Sequence, residues 1–193
     1  MGHGTPDYGV RTPISTVYSL EDMGELAVRL GSVVTHDRRG NVIFLEDFEN
    51  TLNRWQLDGG GEGAAKVIST DRARSGASSC KITLGAFAEV EGTIYHRRPI
   101  PGDTGLGVEA SILFPTGIDK IHLDMVAQAA DGQKQAILRY DKTNDELEIY
   151  TPGAGYVVVA TTLKLYPVDY YFHTFKVVAD FVNNKYIRAI VDH

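Results

Sequence analysis

The C-terminal stretch 172–192 constrains the fold most, because two runs rich in Val, Ile, Phe and Tyr flank a pair of asparagines. Asn tolerates the positive φ of a two-residue hairpin turn, so Asn183 and Asn184 predict the tip of a long β-hairpin. This register would place Val177 opposite Ile190. Both faces of the hairpin carry apolar side chains, which predicts a central pair of strands in a sheet covered on two sides.

Short apolar segments separated by turn residues continue this pattern upstream of the hairpin. The predicted strands span 42–48, 65–69, 79–84, 90–97, 106–114, 120–129, 133–141, 146–150 and 155–161. The turns at 130–132 and 142–145 make 120–150 a predicted three-stranded meander. Turn signals about every 8 to 12 residues are typical of a β-sandwich rather than of alternating strands and helices. The sequence therefore predicts an all-β body.

Residues 1–41 differ from this body and are predicted to form an appendage. Glycines and prolines interrupt 1–19, which predicts an extended arm that is ordered only against another surface. Ser19 can begin a short α-helix and Gly31 can end it, and so short a helix must be buried against the body or a neighbouring subunit. The residues expected to make these assembly contacts are Val10, Ile14, Val17, Tyr18, Met23, Leu26 and Leu30. We therefore predict an arm with a short helix over 1–41 and a β-sandwich domain over 42–193.

The charge of the chain bears on its partners. A formal net charge of -6 and a pI near 5.5 leave no basic stripe beyond Arg38-Arg39 and Arg97-Arg98, so a nucleic-acid partner is not expected. No segment reaches the ~20 apolar residues of a membrane span, and no signal peptide is visible at the N-terminus. Membrane insertion is therefore not expected, and the localisation stays open.

Two stretches resemble known sandwich domains. The acidic and aromatic run Glu46, Asp47, Phe48, Glu49 is followed by Trp55 and by a Ser-Gly-x-x-Ser-x-Lys-Ile run at 75–82. This order is similar to the opening of carbohydrate-binding modules and laminin-G-like domains. The stretch 173–192 resembles a hairpin of concanavalin-A-like lectins and glucanases. The resemblance covers roughly 42–193, and it implies an antiparallel jelly-roll sandwich and a glycan as a candidate ligand.

The acidic and imidazole side chains give no pattern of a catalytic or zinc site. Glucanases of this architecture carry an ExDxxE-like arrangement, which the cluster at 46–49 lacks, and Glu146 and Glu148 are typical of solvated charges on a strand. The six histidines form no HxH or HExxH motif, so a zinc site is not expected. Because neither a carboxylate pair nor a zinc site is indicated, the chain is predicted not to be an enzyme. No cofactor is expected; a structural calcium ion is the one candidate, because calcium prefers carboxylate oxygens. Its candidate ligands are Glu46, Asp47, Glu49 and Asp180.

Tyrosines supply the candidate glycan-binding residues, because sugar faces stack on flat exposed rings. Four tyrosines lie in or beside loops that contain Gly or Pro, where exposure is expected. They are Tyr156, Tyr166, Tyr170 and Tyr171.

Together these features favour a non-catalytic structural protein that works by assembly. The arm, the short helix and the missing catalytic pattern suggest a virion component, in a capsid or tail, or a surface-layer component that forms a homo-oligomer or larger assembly. A carbohydrate-binding module is the alternative that the resemblance and the tyrosines suggest. A glucanase-type glycoside hydrolase is the third hypothesis.

Overall fold

The computed structural model describes residues 43–85, 91–97, 105–129, 132–168 and 170–192. Within these ranges the chain forms eleven β-strands and no α-helix, so the prediction of an all-β fold is confirmed. The strands are β1 (Gln56–Gly59), β2 (Ala65–Ser69), β3 (Ser79–Thr83), β4 (Gly92–Tyr95), β5 (Gly105–Ile112), β6 (Lys120–Ala129), β7 (Gly132–Asp141), β8 (Glu146–Thr151), β9 (Gly155–Ala160), β10 (His173–Asp180) and β11 (Lys185–Val191). The predicted arm and short helix lie outside the described residues. The described part contains no helix able to cross a membrane.

The chain divides into two compact units. The first comprises Met1–Thr51 and Ile68–Cys80, and the second comprises Leu52–Val67 and Lys81–His193. In the first unit the Glu49 carboxylate holds a loop, because its Oε1 accepts hydrogen bonds from the backbone N–H groups of Ala77 (2.7 Å) and Ser78 (2.9 Å).

The strand predicted over 42–48 does not form in its described residues. Glu46 Oε1 accepts a hydrogen bond from the N–H of Phe48 at 3.1 Å, and Asp47 Oδ1 accepts one from the N–H of Glu49 at 3.0 Å. Phe48 also has a φ of 59°, in the left-handed region. These local bonds compete with a strand ladder for the same backbone groups. The acidic residues that made this segment look like a first strand therefore turn its backbone instead.

In the second unit, β6, β7, β8 and β9 form a four-stranded antiparallel sheet in chain order. The predicted meander over 120–150 is confirmed, and β9 extends it by one strand. Register pairs Leu123 with Leu138 and Tyr140 with Leu147, so these apolar side chains line one face of the sheet. We call it the inner face, and its opposite the outer face.

β11, β10 and β5 form a three-stranded antiparallel sheet in that order. The prediction of a central hairpin is therefore right for β10 and wrong for β11, which lies at the edge of this sheet among the strands that the structure describes. The predicted register is also wrong: Val177 faces Ala189 instead of Ile190, and Asp180 faces Lys185. The Asp180 carboxylate accepts hydrogen bonds from the N–H groups of Val182 and Asn183, which closes a four-residue loop rather than a two-residue turn.

The two large sheets share one hydrophobic core. Phe175 and Val177 from β10 are 2% and 0% exposed, and they pack in one cluster with Leu138 and Tyr140 from β7. The rings of Phe175 and Tyr140 lie 6.4 Å apart. The hydroxyl of Tyr186 joins the sheets by polar contacts, since it accepts from the Ile137 N–H at 3.0 Å and donates to the Tyr150 carbonyl at 2.7 Å. The inner face is therefore covered by the sheet of β10.

Two small sheets complete the described strands. β1 pairs with β4, from Gln56 opposite Tyr95 to Gly59 opposite Gly92, and β2 pairs with β3.

Candidate functional site

β9 forms an open edge of the four-stranded sheet. Within the described ranges it pairs with β8 alone. Val157, Val158 and Val159 are 40%, 43% and 48% exposed, and no residue of Gly155–Ala160 is charged. Edge strands are normally protected by charges or proline, because their free N–H and C=O groups can pair with another strand. This strand, which we call the β9 edge, has neither kind of protection along its length.

The other edge strands of the two large sheets carry charged residues. β6 contains Lys120, His122 and Asp124, β11 contains Lys185 and Arg188, and β5 contains Glu109. These strands therefore have the charges that β9 lacks.

A β-bulge lies near the end of the β9 edge. Glu148 pairs with Val158, whereas Leu147 pairs with Ala160, so Val159 is the extra residue of the bulge. The strand is therefore regular from Gly155 to Val158 and irregular after that.

A charged and aromatic cluster covers the outer face next to this edge. Register places His122, Arg139 and Glu148 side by side on β6, β7 and β8. Arg139 Nε donates a hydrogen bond to Glu148 Oε2, and the guanidinium carbon lies 3.3 Å from the ring centroid of Tyr156 on β9. The Tyr156 ring also lies 5.5 Å from that of Tyr150. The cluster therefore holds Tyr156 against the sheet.

Two groups in this cluster have shifted pKa values. Burial lowers the pKa of the His122 imidazole, and the Glu91 carboxylate 3.8 Å away opposes that shift. Partial burial and the negative charge of Glu91 raise the pKa of Asp124 to about 6. Both shifts disfavour the charged forms, and burial is the larger cause in each.

The predicted glycan-binding tyrosines fall into two places. Tyr156 lies in the outer-face cluster, where the Arg139 guanidinium covers one face of its ring. Tyr166, Tyr170 and Tyr171 are 71%, 77% and 51% exposed and lie in the segment that precedes β10. The second group keeps its rings open to solvent, so it is better placed for stacking on a ligand.

A buried histidine anchors this segment. His173 is 2% exposed, and its Nε2 donates a hydrogen bond to the Tyr166 carbonyl at 2.9 Å. Its Nδ1 bonds to Asp192 Oδ2, while Asp192 Oδ1 accepts from the Thr174 N–H at 2.7 Å. The ring of Tyr171 lies 4.9 Å from that of His173. His173 and Asp192 therefore position the backbone of one exposed tyrosine and the ring of another.

The predicted calcium ligands already serve local backbone bonds. Glu46, Asp47 and Glu49 in the first unit each accept backbone N–H groups. Asp180 in the second unit accepts from Asn183, and those hydrogen bonds hold the pKa of its carboxyl below the usual range. Among the residues that the structure describes, no group of three or more His, Cys, Asp or Glu could hold a metal ion. The calcium site stays a prediction.

The predicted assembly residues of the arm and helix, from Val10 to Leu30, lie outside the described ranges. Sequence reasoning missed the contacts of Arg139 and of the pair His173 and Asp192. Alternation along β6, β7 and β8 could have placed His122, Arg139 and Glu148 on one face. No spacing rule would have joined His173 to Asp192, because they meet only once β10 and β11 pair.

Comparison with known proteins adds no family assignment: no family model matches the chain, and no curated protein is significantly similar to it. Within the described residues, the sequence and the geometry establish antiparallel sheets in an all-β chain, with β9, an uncharged strand with three exposed valines, at one edge of the four-stranded sheet.

Proposed function

We propose that this chain is a non-catalytic structural protein that works by assembling with further protein chains, as the components of virions and surface layers do. The observation that carries the proposal is the β9 edge, where three consecutive valines are exposed on a strand without charge. A protein that works alone would gain from a lysine or a proline at such an edge. A protein that assembles needs the edge open.

The outer-face cluster supports the same function by holding the edge in place. Tyr156 is the first large side chain of β9, and the Arg139 guanidinium lies over its ring. The ion pair with Glu148 fixes Arg139 in turn. A strand held in this way loses less conformational freedom when it pairs, which favours association.

The valines alone would not hold an assembly together. Covering one half-exposed valine contributes about 1 kcal/mol, so the three on β9 contribute about 3 kcal/mol. Lost translational and rotational freedom costs about 4 kcal/mol or more. Strand hydrogen bonds, at about 1 kcal/mol each, must supply the rest, together with contacts such as those predicted for the arm. We therefore expect concentration-dependent assembly.

A charge placed at the edge tests this function. Val159→Lys should shift the protein towards the monomer, because pairing would desolvate the new ammonium group. The matched control is Val126→Lys, at a residue 53% exposed on β6 at the opposite edge of the same sheet. Sedimentation velocity over a range of concentrations measures the masses, and circular dichroism verifies folding. A wild-type monomer at every concentration, or equal distributions for the two variants, would contradict the proposal.

Glycan binding is a second candidate, favoured by the three exposed tyrosines Tyr166, Tyr170 and Tyr171. If they form a stacking surface, Tyr170→Ala should abolish signals that the wild type gives on a glycan array, since stacking on a ring is lost. Ile187→Ala, at an exposed residue of β11, is the control and should keep those signals. An array with no signal for the wild type would remove this candidate.

A further inference from the structure

We propose that the partner of the β9 edge is the β9 strand of a second copy, paired antiparallel about a two-fold axis that lies between the two copies of Val157. This inference rests on the proposed assembly function and identifies its partner. It is carried by the charge of the sheet edges, by the register of β9 and by the apolar surface that a second copy brings.

Charge favours a second β9 strand over the edge strands that carry charged residues. Lys120 and Asp124 lie on β6, Lys185 and Arg188 on β11, and Glu109 on β5, so pairing at these positions would bring charges against the valines of β9. Such contacts desolvate charges without giving them a partner. A second β9 is uncharged and brings valines to valines.

The register of β9 locates the axis. Facing residues in an antiparallel pair project to the same side of the sheet, so the two-fold axis must lie midway between two copies of the same residue. Tyr156, Val157 and Val158 lie in the regular part of the strand, before the bulge at Val159. Val157 is the middle of the three. An axis there places Val157 opposite its own copy, and Tyr156 opposite Val158 of the second copy.

A second copy also supplies enough apolar surface. Each copy contributes three exposed valines, so self-pairing covers six, twice the number that is covered when the partner brings no apolar side chain. The larger covered surface offsets more of the translational and rotational freedom that is lost on association. The two four-stranded sheets would then form one continuous eight-stranded sheet.

The symmetry of this contact limits what it can build. A two-fold contact uses the same surface on both copies, so it closes as a dimer and leaves no free β9 edge. Larger assemblies then need a second contact surface, and the predicted arm contacts could supply one. We therefore expect the dimer to be the unit that assembles.

A cysteine at the axis tests the inference. In Val157→Cys the new thiol would face its own copy, so mild oxidation, or a short bis-maleimide crosslinker that tolerates imperfect geometry, should convert most of the protein into a covalent dimer. The wild type, whose single cysteine is Cys80, controls for the native thiol. Val126→Cys, at an exposed residue on the opposite edge, controls for random collision. Both controls should stay largely uncrosslinked.

The outcomes separate this inference from the proposed function. If the native protein assembles and Val159→Lys disrupts the assembly, but Val157→Cys crosslinks no faster than Val126→Cys, then another segment occupies the edge. The inference would be overturned, and the assembly function would stand. If the native protein is a monomer at every concentration, both fail.

Discussion

Replacing Phe175 with alanine should lower the free energy of unfolding by about 3 to 5 kcal/mol, because it empties the centre of the core shared by the two large sheets. Phe175 is 2% exposed and lies between Ala110 on β5 and Val191 on β11. Its ring packs 6.4 Å from that of Tyr140 in the opposite sheet. Because the surrounding strands are held by ladder hydrogen bonds, the cavity can relax only in part. Denaturant melts followed by circular dichroism measure the loss.

Two further variants calibrate this effect. Val177→Ala, at a fully buried residue on the same face of β10, should cost about 1 to 3 kcal/mol, because a smaller side chain leaves a smaller cavity. Lys185→Ala, at an exposed residue where β11 begins, should change stability by no more than about 0.5 kcal/mol. Equal and small shifts for all three variants would mean that β10 does not lie in a core between sheets.

Replacing Asp192 with alanine should cost about 3 kcal/mol, because it breaks a pair whose other member is buried. His173 is 2% exposed and would lose the partner of its Nδ1, and the Thr174 N–H would lose its acceptor. The side chain of Asp192 is 29% exposed, which places the expected cost at the lower end of the range for buried pairs. The same denaturant melts measure it.

Asp192→Asn is the matched control for this pair. An asparagine keeps an oxygen for the Thr174 N–H, and its amide can donate to the Nδ1 of a neutral His173 that still donates to the Tyr166 carbonyl. We therefore expect a smaller loss, about 1 kcal/mol. If Asp192→Ala changes stability by less than about 0.5 kcal/mol, the contact of His173 with Asp192 does not stabilise the fold.

The strands that could be predicted are those whose side chains alternate or run apolar over many residues. β2 and β6 coincide with the predicted 65–69 and 120–129. The sequence does not predict β1, because Gln56–Gly59 contains only one large apolar residue. This segment becomes a strand by pairing with β4. The hairpin register failed for a local reason, since the side chain of Asp180 binds the backbone of the loop and lengthens it.

The candidate site was less accessible to prediction than the strands that form it. β9 was predicted as a strand, but its place at an edge depends on which strands pair, and sheet order is set by contacts distant in sequence. Val157, Val158 and Val159 look the same in sequence whether a strand is central or at an edge. Its aromatic ring makes Tyr156 a candidate glycan-binding residue from the sequence. Only the structure shows that the Arg139 guanidinium lies over one face of that ring.

The pairing of β5 with β10 sets the order in which this chain can fold. Ser111 and Thr174 meet across 63 positions, whereas β6, β7, β8 and β9 each pair with their neighbours in sequence. Closing so long a loop costs about 4 kcal/mol in chain entropy. We therefore expect the meander of β6 to β9 to form before β10 pairs with β5. Until β10 docks, the inner face of the four-stranded sheet is uncovered, while β9 can already pair with a strand of another chain. We therefore expect the speed of β10 docking to affect how much newly made protein reaches the native state before it aggregates.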